Sequence, residues 1–347
     1  MNTPKSPIIP QAATTATAPD ENRRMVVSSS PHVAALDSTR GIMLDVLIAL
    51  LPALVVSVFF YGFRSLVLTL ITVAACIAFE WLYRRILKKP NSTGDLSAAV
   101  TGVLLAFNLP ASTPYWVPVV GAAFSIIIAK QLYGGIGKNF INPALAGRAF
   151  VMFCFPAYVS TWTPAFEWLP LGGTVDAVTS ATPLASMKEG LLPSATAFEM
   201  FLGKTGGCLG ETCALVLLLG GAYLVLRRVI SVRIPLIYLG TVALVTFAFP
   251  LGGAARVDWM LANLLSGGLM LGAIFMATDY TTSPVTPRGQ VIFAIGCGLL
   301  TVFIRYFGSY AEGVSFSILI MNVCVWLFDK VGKPARYGER RAKNGGK

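Results

Sequence analysis

The sequence is poor in charge and nearly without histidine. Charged residues make up 12% of its 347 residues, and hydrophobic residues make up 55%. An ordinary soluble domain carries about 25% charged residues, so this composition excludes a soluble globular protein and predicts an integral membrane protein. Because His32 is the only histidine, a bis-histidine haem and a histidine-based metal site are excluded as well.

The cysteines do not predict a metal centre. None of the six stands in a CxxC or zinc-like spacing. Four of them lie inside apolar runs, where a thiol usually packs as a small hydrophobic group: Cys76, Cys154, Cys297 and Cys324. Cys208 and Cys213 flank one point of entry into the membrane, and packing is favoured over metal binding for them too.

Long apolar segments recur after a polar amino-terminal tail. Residues 1–38 are rich in Thr, Ala, Pro and Ser, and we expect them to be disordered. The third apolar segment is short, and Gly94, Gly102 and Pro110 punctuate it, which predicts a broken or re-entrant helix. A helix of about 17–25 residues crosses a bilayer, and we place ten spans at about 42–61, 64–83, 95–109, 115–132, 141–157, 211–227, 233–250, 258–277, 290–306 and 312–329.

The basic residues orient these spans. The net charge is +11, but Lys and Arg fall in short clusters between apolar runs, which is typical of topology signals and not of nucleic-acid binding. With the amino terminus in the cytoplasm, the inner face collects "RRILKK" at 84–89, "RRVISVR" at 227–233 and the basic tail at 331–347. We therefore predict that both termini are cytoplasmic and that the loop at 158–210 is external.

An internal repeat relates the two halves of the chain. The stretch "GDLSAAVTGVLLAFNLPASTP" at 94–114 is similar to "GGLMLGAIFMATDYTTSPVTP" at 267–287. In the same order, "KQLYGGIGKNFINPALAGRAF" at 130–150 is similar to "IRYFGSYAEGVSFSILIMNVC" at 304–324. The shared glycines and Thr/Ser-Pro ends indicate a duplicated unit.

The duplication predicts the fold class. Each half, 39–157 and 211–330, holds five predicted spans, and because five is odd the two halves enter the membrane from opposite sides. The prediction is an all-α polytopic membrane protein with about ten transmembrane helices in two inverted five-helix repeats. In such folds the interrupted helices meet near the midplane, where half-helix ends bind ions.

The external loop carries a hydroxyl-rich motif, "DAVTSATPL" at 176–184. Its spacing resembles the flavinylation pattern D-x-x-(S/T)-(G/S)-A-(S/T), in which the last hydroxyl forms a phosphoester with FMN, although Ser180 stands where many such motifs have Gly. A presented hydroxyl can attack an activated phosphoryl group, and small neighbours leave room for the modifying enzyme. The alternative is a solvated loop with an Asx-type turn. The motif predicts covalent FMN on Thr182, with Asp176, Thr179, Ser180, Ala181, Pro183 and Leu184 as its other residues.

Stretches along nearly the whole chain resemble the D subunits of Rnf electron-transport complexes. Besides the repeats and the motif, they are "IMLDVLIALLPAL" at 42–54, "TDYTTSPVTPRGQ" at 278–290 and "RYFGSYAEGVSFSILIMN" at 305–322. The B subunit of the sodium-pumping NADH:quinone oxidoreductase is the next most similar family. The resemblance implies a multi-pass subunit of an ion-translocating ferredoxin:NAD+ oxidoreductase in a bacterial inner membrane, not catalytically complete alone. It also implies the other membrane, flavin and iron–sulfur subunits as partners, membrane lipid, and a flavin transferase for maturation.

The resemblance implies a second flavin, riboflavin, bound non-covalently among the helices. Asn139 and Asn142 are the candidates, since a carboxamide offers donors and acceptors to a flavin ring edge. If their turn is helical, the two carboxamides share a face. Capping is the alternative, because Asn142 before Pro143 suits a helix start. In the predicted topology this segment is cytoplasmic and Thr182 is external, so two flavins would carry electrons across the membrane.

Ionisable groups in or beside the spans are candidates for an ion pathway. Asp95 and Asp279 rank first because they adjoin the repeated segments, ahead of Asp45, Glu80, Arg148, Glu312 and Asp329. Carboxylates alone do not separate Na+ from H+. Two other classes remain open, namely a secondary transporter or channel of inverted-repeat type without a redox role, and a structural anchor for redox subunits.

Overall fold

A computed structural model describes residues 38–172, 182–211, 213–308, 310 and 312–332. Every regular element in these residues is a helix, which confirms the predicted all-α class. The following predictions lie outside the described residues: the disordered tail up to residue 37, the motif residues Asp176, Thr179, Ser180 and Ala181, and the basic tail from residue 333 onward.

The first half contains five helices and one π-helical segment. Gly62 alone separates the first two helices; its φ of 77° lies in the left-handed region, which glycine adopts without steric cost. The fourth helix continues as a π-helix over Phe124–Gln131. The helices are α1 (Thr39–Tyr61), α2 (Phe63–Ile86), α3 (Ser97–Phe107), α4 (Trp116–Ala123) and α5 (Pro143–Cys154), with a 3₁₀ turn at Thr93–Asp95 before α3.

The connection between the halves carries three short helices, α6 (Pro156–Val159), α7 (Pro183–Lys188) and α8 (Ala197–Leu202). The last is closed by a capping box of Thr196 and Glu199, and hydrogen bonds from Thr196 hold the pKa of Glu199 below its usual value. Side chains of α7 and α8 share a small apolar core with Trp259. This core fixes α7 against the second half.

The second half contains α9 (Ala214–Leu226), α10 (Arg233–Ala248), α11 (Arg256–Leu265), α12 (Leu269–Leu271), α13 (Pro287–Phe307), α14 (Val314–Val323) and α15 (Val325–Gly332). A π-helix, Gly272–Met276, continues α12. The predicted span at 258–277 is therefore two pieces, bent by 65° between Leu265 and Leu269. The predicted span at 312–329 is also bent, by 57°, between α14 and α15.

The helix lengths fit a multi-pass membrane protein. Among the described residues, α1, α2 and α13 are long and apolar enough to cross a membrane, and the two bent pairs raise this number to five if each pair is one span. The other apolar helices have 10–17 residues. Large apolar side chains such as Phe59, Leu219 and Phe303 point outward and are exposed, as expected where lipid is the solvent. The count of ten spans stays a prediction.

Candidate functional site

Thr182 lies at the amino-terminal end of α7. Its backbone is extended (φ −71°, ψ 153°), and its hydroxyl accepts a hydrogen bond from the Ala185 N–H at 3.2 Å. Pro183 occupies the first helical position, where a missing N–H costs nothing. Leu184 and Met187 anchor α7 in the apolar core with Trp259. The hydroxyl named by the motif is thus held by a packed helix.

The Thr182 side chain faces a cavity of about 220 Å³, which we call the Thr182 cavity. Three glycines lie on its wall. At Gly267 (φ +68°) an added Cβ would stand 2.5 Å from Leu184 Cδ1, so this part of the wall requires glycine. The wall also includes Arg148, Met152, Val159, Trp162, Gly206, Gly207, Glu211, Leu265, Ser266 and Glu312.

Arg148 and Glu312 form a buried ion pair on this wall. Arg148 Nη1 lies 3.1 Å from Glu312 Oε1, and Nη2 donates to Glu312 Oε2. Arg148 Nη1 also donates to Asn108 Oδ1 at 2.6 Å. The Gly268 N–H, at the start of the second piece of the bent helix, donates to Glu312 Oε1 at 3.2 Å. A bidentate pair of this kind is a strong and directional interaction.

Two buried polar atoms of the Thr182 cavity have no hydrogen-bond partner in the described structure, Arg148 Nε and Glu211 Oε1. Buried polar atoms are nearly always paired, so each of these two atoms is open to a further hydrogen bond. A flavin carries donors and acceptors on its ring edge together with a large apolar face. The unpaired atoms, the glycines and the apolar side chains of Met152 and Val159 fit such a group.

A second cavity, of about 300 Å³, lies at the other end of α5, and we call it the Asn142 cavity. Both predicted asparagines line it. The condition for a shared helical face is not met, because the turn is not helical: Asn142 has the extended backbone (φ −66°, ψ 119°) that a following proline imposes. Asn139 and Asn142 both line the cavity because the non-helical turn before α5 forms part of its wall. Other lining residues include Met43, Ser97, Leu104, Lys130, Leu224, Phe275, Thr278, Asp279 and Thr281.

The two asparagines are bonded differently. Asn142 Oδ1 accepts from the N–H groups of Ala144 (3.0 Å) and Leu145 (3.3 Å), so it caps α5, and its Nδ2 donates to Met276 O at 3.3 Å. Asn139 Nδ2 donates to Thr281 Oγ1 at 3.0 Å. The Asn142 carboxamide is therefore occupied by bonds to the first turn of α5 and to Met276 of the second half.

A buried charged pair borders the Asn142 cavity. Lys130 Nζ donates to Glu80 Oε2 at 2.7 Å and to Ser97 Oγ at 2.6 Å. Lys130 is 3% exposed and Glu80 is fully buried. The pair joins α2, the π-helix after α4, and the start of α3. π-helical segments are frequent at functional sites.

The two aspartates ranked first for an ion pathway have different surroundings. Asp95 Oδ1 accepts from the N–H and the hydroxyl of Ser97, at 2.8 and 2.6 Å, so it is bonded to the first residue of α3. Asp279 lines the Asn142 cavity and accepts from the hydroxyls of Thr281 (3.0 Å) and Thr282 (3.1 Å). Of these two aspartates, Asp279 is the one that lines the Asn142 cavity.

Polar contacts connect the two cavities. Asn108, at the end of α3, donates to Met276 Sδ at 3.6 Å and accepts from Arg148. Met276 O accepts from Asn142. Along α5 the residues Asn142 and Arg148 are separated by about 9 Å, at about 1.5 Å per residue. The carboxyl-terminal ends of α3 and of the π-helix Gly272–Met276 therefore meet between the two cavities.

Equivalent contacts occur in the two halves. Lys130, late in the fourth helix of the first half, donates to Ser97 at the start of α3. Arg305, late in α13, donates to the backbone oxygens of Asn263 (2.5 Å) and Ser266 (3.0 Å) at the break before α12. In the first half, Lys130 thus contacts the start of α3. In the second half, Arg305 of α13 contacts the segment between α11 and α12.

Sequence reasoning ranked Arg148 and Glu312 below the aspartates and did not single out Glu211. The available signal was an arginine inside an otherwise apolar helix, which is rare unless it is paired or functional. Its partner is 164 residues away, so spacing could not reveal it. Among the described residues, no group of three or more potential metal-ligating side chains comes together.

The sequence matches a known family over most of its length. The model of the "NQR2, RnfD, RnfE family" matches residues 26–338. The chain belongs to this family. It is 49% identical over 322 residues to the D subunit of the Na+-translocating ferredoxin:NAD+ oxidoreductase complex of Acetobacterium woodii, and the match covers 92% of this chain and 97% of that one.

Two further relatives agree with this assignment. The D subunit of the proton-translocating ferredoxin:NAD+ oxidoreductase complex of Clostridium ljungdahlii is 40% identical, over 91% of this chain and 96% of that one. The D subunit of the ion-translocating oxidoreductase complex of Stutzerimonas stutzeri is 39% identical, over 87% and 92%. The resemblance of this family member to Rnf D subunits is thereby confirmed.

Proposed function

We propose that this chain is the membrane subunit of an ion-translocating ferredoxin:NAD+ oxidoreductase complex and that it carries FMN bound covalently to Thr182. Family membership and the names of its relatives support the first part. The second part is supported by one observation above all. Thr182 is presented by a packed helix on the wall of a cavity that also holds Arg148 and two unpaired polar atoms.

The residues of the Thr182 cavity have separate tasks in this proposal. The Thr182 oxygen links to the phosphate, and the core around Trp259 keeps α7 in place. Arg148 offers its unpaired Nε to a flavin ring, while Met152 and Val159 offer apolar contact. When bound, a flavin supplies one- and two-electron redox chemistry, which the protein itself cannot. Motif residues Asp176, Thr179, Ser180 and Ala181 would serve the flavin transferase that attaches it.

The Asn142 cavity is the proposed place of a second, non-covalent flavin, riboflavin. Its volume of about 300 Å³ is at the lower end of small-molecule sites. Its wall is mostly apolar, with a few polar groups, as is usual for such sites. Asn139 is the proposed contact to the ring edge, and Asn142 acts by capping α5 and holding Met276. Electrons would pass between the cavities across Asn108 and Met276.

The proposed topology is two inverted five-helix repeats with both termini in the cytoplasm of a bacterial cell. The equivalent contacts of Lys130 and Arg305 support the repeat. The clusters of basic residues support the orientation, which places Thr182 outside and the Asn142 cavity toward the cytoplasm. The other membrane, flavin and iron–sulfur subunits and the inner-membrane lipid would surround the helices.

Ion movement is proposed to follow from two conformations of the repeats. A change of charge in either cavity favours the conformation that compensates it better. Of the two aspartates, Asp279 is the better candidate for an ion contact because it lines a cavity. Asp95 is bonded to Ser97, the first residue of α3. The ion is Na+ or H+.

In-gel flavin fluorescence of denatured protein tests the covalent site. The host must supply the flavin transferase. Wild type is expected to fluoresce and Thr182→Ala to be dark. Thr196→Ala is the matched control, because Thr196 is also an extended N-cap residue of the same connection (φ −68°, ψ 156°), and it should fluoresce. Fluorescence that survives Thr182→Ala places the flavin elsewhere, and a dark wild type favours a transporter without a redox role.

A further inference from the structure

Glu211 lies beside the Arg148–Glu312 pair, but few hydrogen-bond donors stabilise the negative charge of its carboxylate. Glu312 accepts two hydrogen bonds from Arg148 and one from the Gly268 N–H. Glu211 accepts the Cys208 N–H at Oε2, at 3.3 Å. Its Oε1 lies 3.9 Å from Arg148 Nη2 and has no hydrogen-bond partner in the described structure. The Glu211 side chain is only 8% exposed, and a buried, poorly compensated carboxylate is costly to keep charged.

The groups around Glu211 come from several elements. Arg305 is held at the break in the bent helix by backbone oxygens, and the Tyr61 hydroxyl donates to Gly207 O at 3.4 Å. Arg148 directs its two terminal nitrogens to Glu312. The charged and titratable groups that face Glu211 are therefore Arg148 of α5, Glu312, Cys208 of its own loop, Tyr61 at the end of α1, and Arg305 of α13. Within the described contacts, neither arginine donates a hydrogen bond to it.

The break in the bent helix brings the two carboxylates together. A Cβ at Gly268 would stand 2.6 Å from Glu312 Oε1 and 3.2 Å from Glu211 Oε1. Both oxygens therefore approach the same glycine, and a further negative charge in the cavity would act on both. Three donors point at Glu312, whereas Glu211 Oε1 has no hydrogen-bond donor in the described structure.

We propose that Glu211 is a proton-binding site that takes up one proton when the flavin of the Thr182 cavity gains an electron. The inference rests on the proposed function. The electron comes from a low-potential redox partner in the complex, and the local charge falls by one. The Glu211 carboxylate then binds one proton from water on the Thr182 side of the protein, forming an O–H bond. When the electron leaves to the next carrier, the proton is released.

A redox titration of the covalent flavin at several pH values tests this step. Full-length protein from a flavinylating host is compared with Glu211→Gln, which keeps the shape of the side chain, and with Glu189→Gln, an exposed glutamate of the same connection. The first one-electron midpoint potential should fall more steeply with pH in the wild type and in Glu189→Gln than in Glu211→Gln. One proton per electron corresponds to 59 mV for each tenfold change in proton concentration, about 59 mV per pH unit.

Infrared difference spectra give a second readout that does not depend on activity. Reduction should produce the C=O band of a protonated carboxyl group in the wild type and in Glu189→Gln, and this band should be lost in Glu211→Gln. Equal slopes, or a band that persists in Glu211→Gln, overturn the proton site while the covalent flavin stands. Loss of covalent flavin from Glu211→Gln alone overturns it too and assigns Glu211 to flavin attachment instead. A wild type without covalent flavin overturns the proposed function, and the proton site with it.

Discussion

Arg148 and Glu312 are 164 residues apart in the chain and form a buried bidentate ion pair, with Nη1 at 3.1 Å from Oε1. Arg148 lies in α5 of the first half, and Glu312 lies two residues before α14 of the second half, so the pair joins these two helices. Arg148 also contacts Asn108, and Glu312 also contacts the Gly268 N–H. The Arg148–Glu312 pair thus contacts both the end of α3, through Asn108, and the start of α12, through Gly268.

Breaking this pair should be strongly destabilising. Arg148→Met leaves Glu312 buried without its partner, which costs about 3–5 kcal/mol in comparable pairs. The thermal midpoint in detergent should fall clearly, and Arg148→Met/Glu312→Gln should recover much of the loss. Arg227→Met is the control, since Arg227 pairs with Asp45 but is 59% exposed, and such pairs contribute about 0–1 kcal/mol. Equal losses for Arg148→Met and Arg227→Met would contradict the assignment.

The glycine at the helix break should not tolerate a methyl group. In Gly268→Ala the new Cβ would stand 2.6 Å from Glu312 Oε1, so either the Glu312 carboxylate or the backbone at residue 268 must shift, which disturbs the contact between them. We expect a lower thermal midpoint. Gly240→Ala, within α10, has nothing within 4 Å of the new Cβ and should be neutral or stabilising by up to about 1 kcal/mol. If Gly268→Ala behaves like Gly240→Ala, the contact is not structural.

Asn139 should matter for the non-covalent flavin alone. Asn139→Ala removes the carboxamide from the Asn142 cavity and its bond to Thr281. Flavin released by acid precipitation should decrease several-fold, whereas flavin that stays with the polypeptide should not change. Asn91→Ala, at an exposed asparagine, serves as the control. Unchanged released flavin would place the second flavin outside this cavity.

The two aspartates should respond differently to the loss of charge. Asp95→Asn keeps a side-chain oxygen that can accept from the N–H and hydroxyl of Ser97, so its effect should be small. Asp279→Asn removes the charge from the wall of the Asn142 cavity and should lower ion uptake into inverted membrane vesicles during ferredoxin-driven NAD+ reduction. Similar uptake for both variants would remove Asp279 from the ion pathway.

The helices were predictable from the sequence to the extent that they depend on apolar length. The bounds of α1, α2 and α13 follow from long hydrophobic runs and the glycine or proline beside them. The duplication predicted an interrupted helix in this half but not the position of the bend between Leu265 and Leu269, where Glu312 from a distant segment accepts a hydrogen bond from the Gly268 N–H. A hydropathy pattern contains no information on that contact.

The candidate sites show the same division. Asn142 before Pro143 predicted a helix start, which is confirmed, whereas the helix that begins after Thr182 was not predicted, because the motif was interpreted as part of a loop. That each lines a cavity depends on tertiary packing. The cluster of Arg148, Glu211 and Glu312 is assembled from three distant segments. In the sequence each is a single charged residue near apolar residues, which does not predict that the three come together.

Tandem mass spectrometry of the peptide that contains Thr182 determines whether this residue carries the covalent FMN. In protein from a host with the flavin transferase, the account predicts an added mass of FMN less one water, localised to Thr182 and absent from Thr179 and Ser180. The same peptide from Thr182→Ser should carry the addition, because a hydroxyl remains, and that from Thr182→Ala should not. An unmodified Thr182 in protein that is otherwise complete would contradict the account.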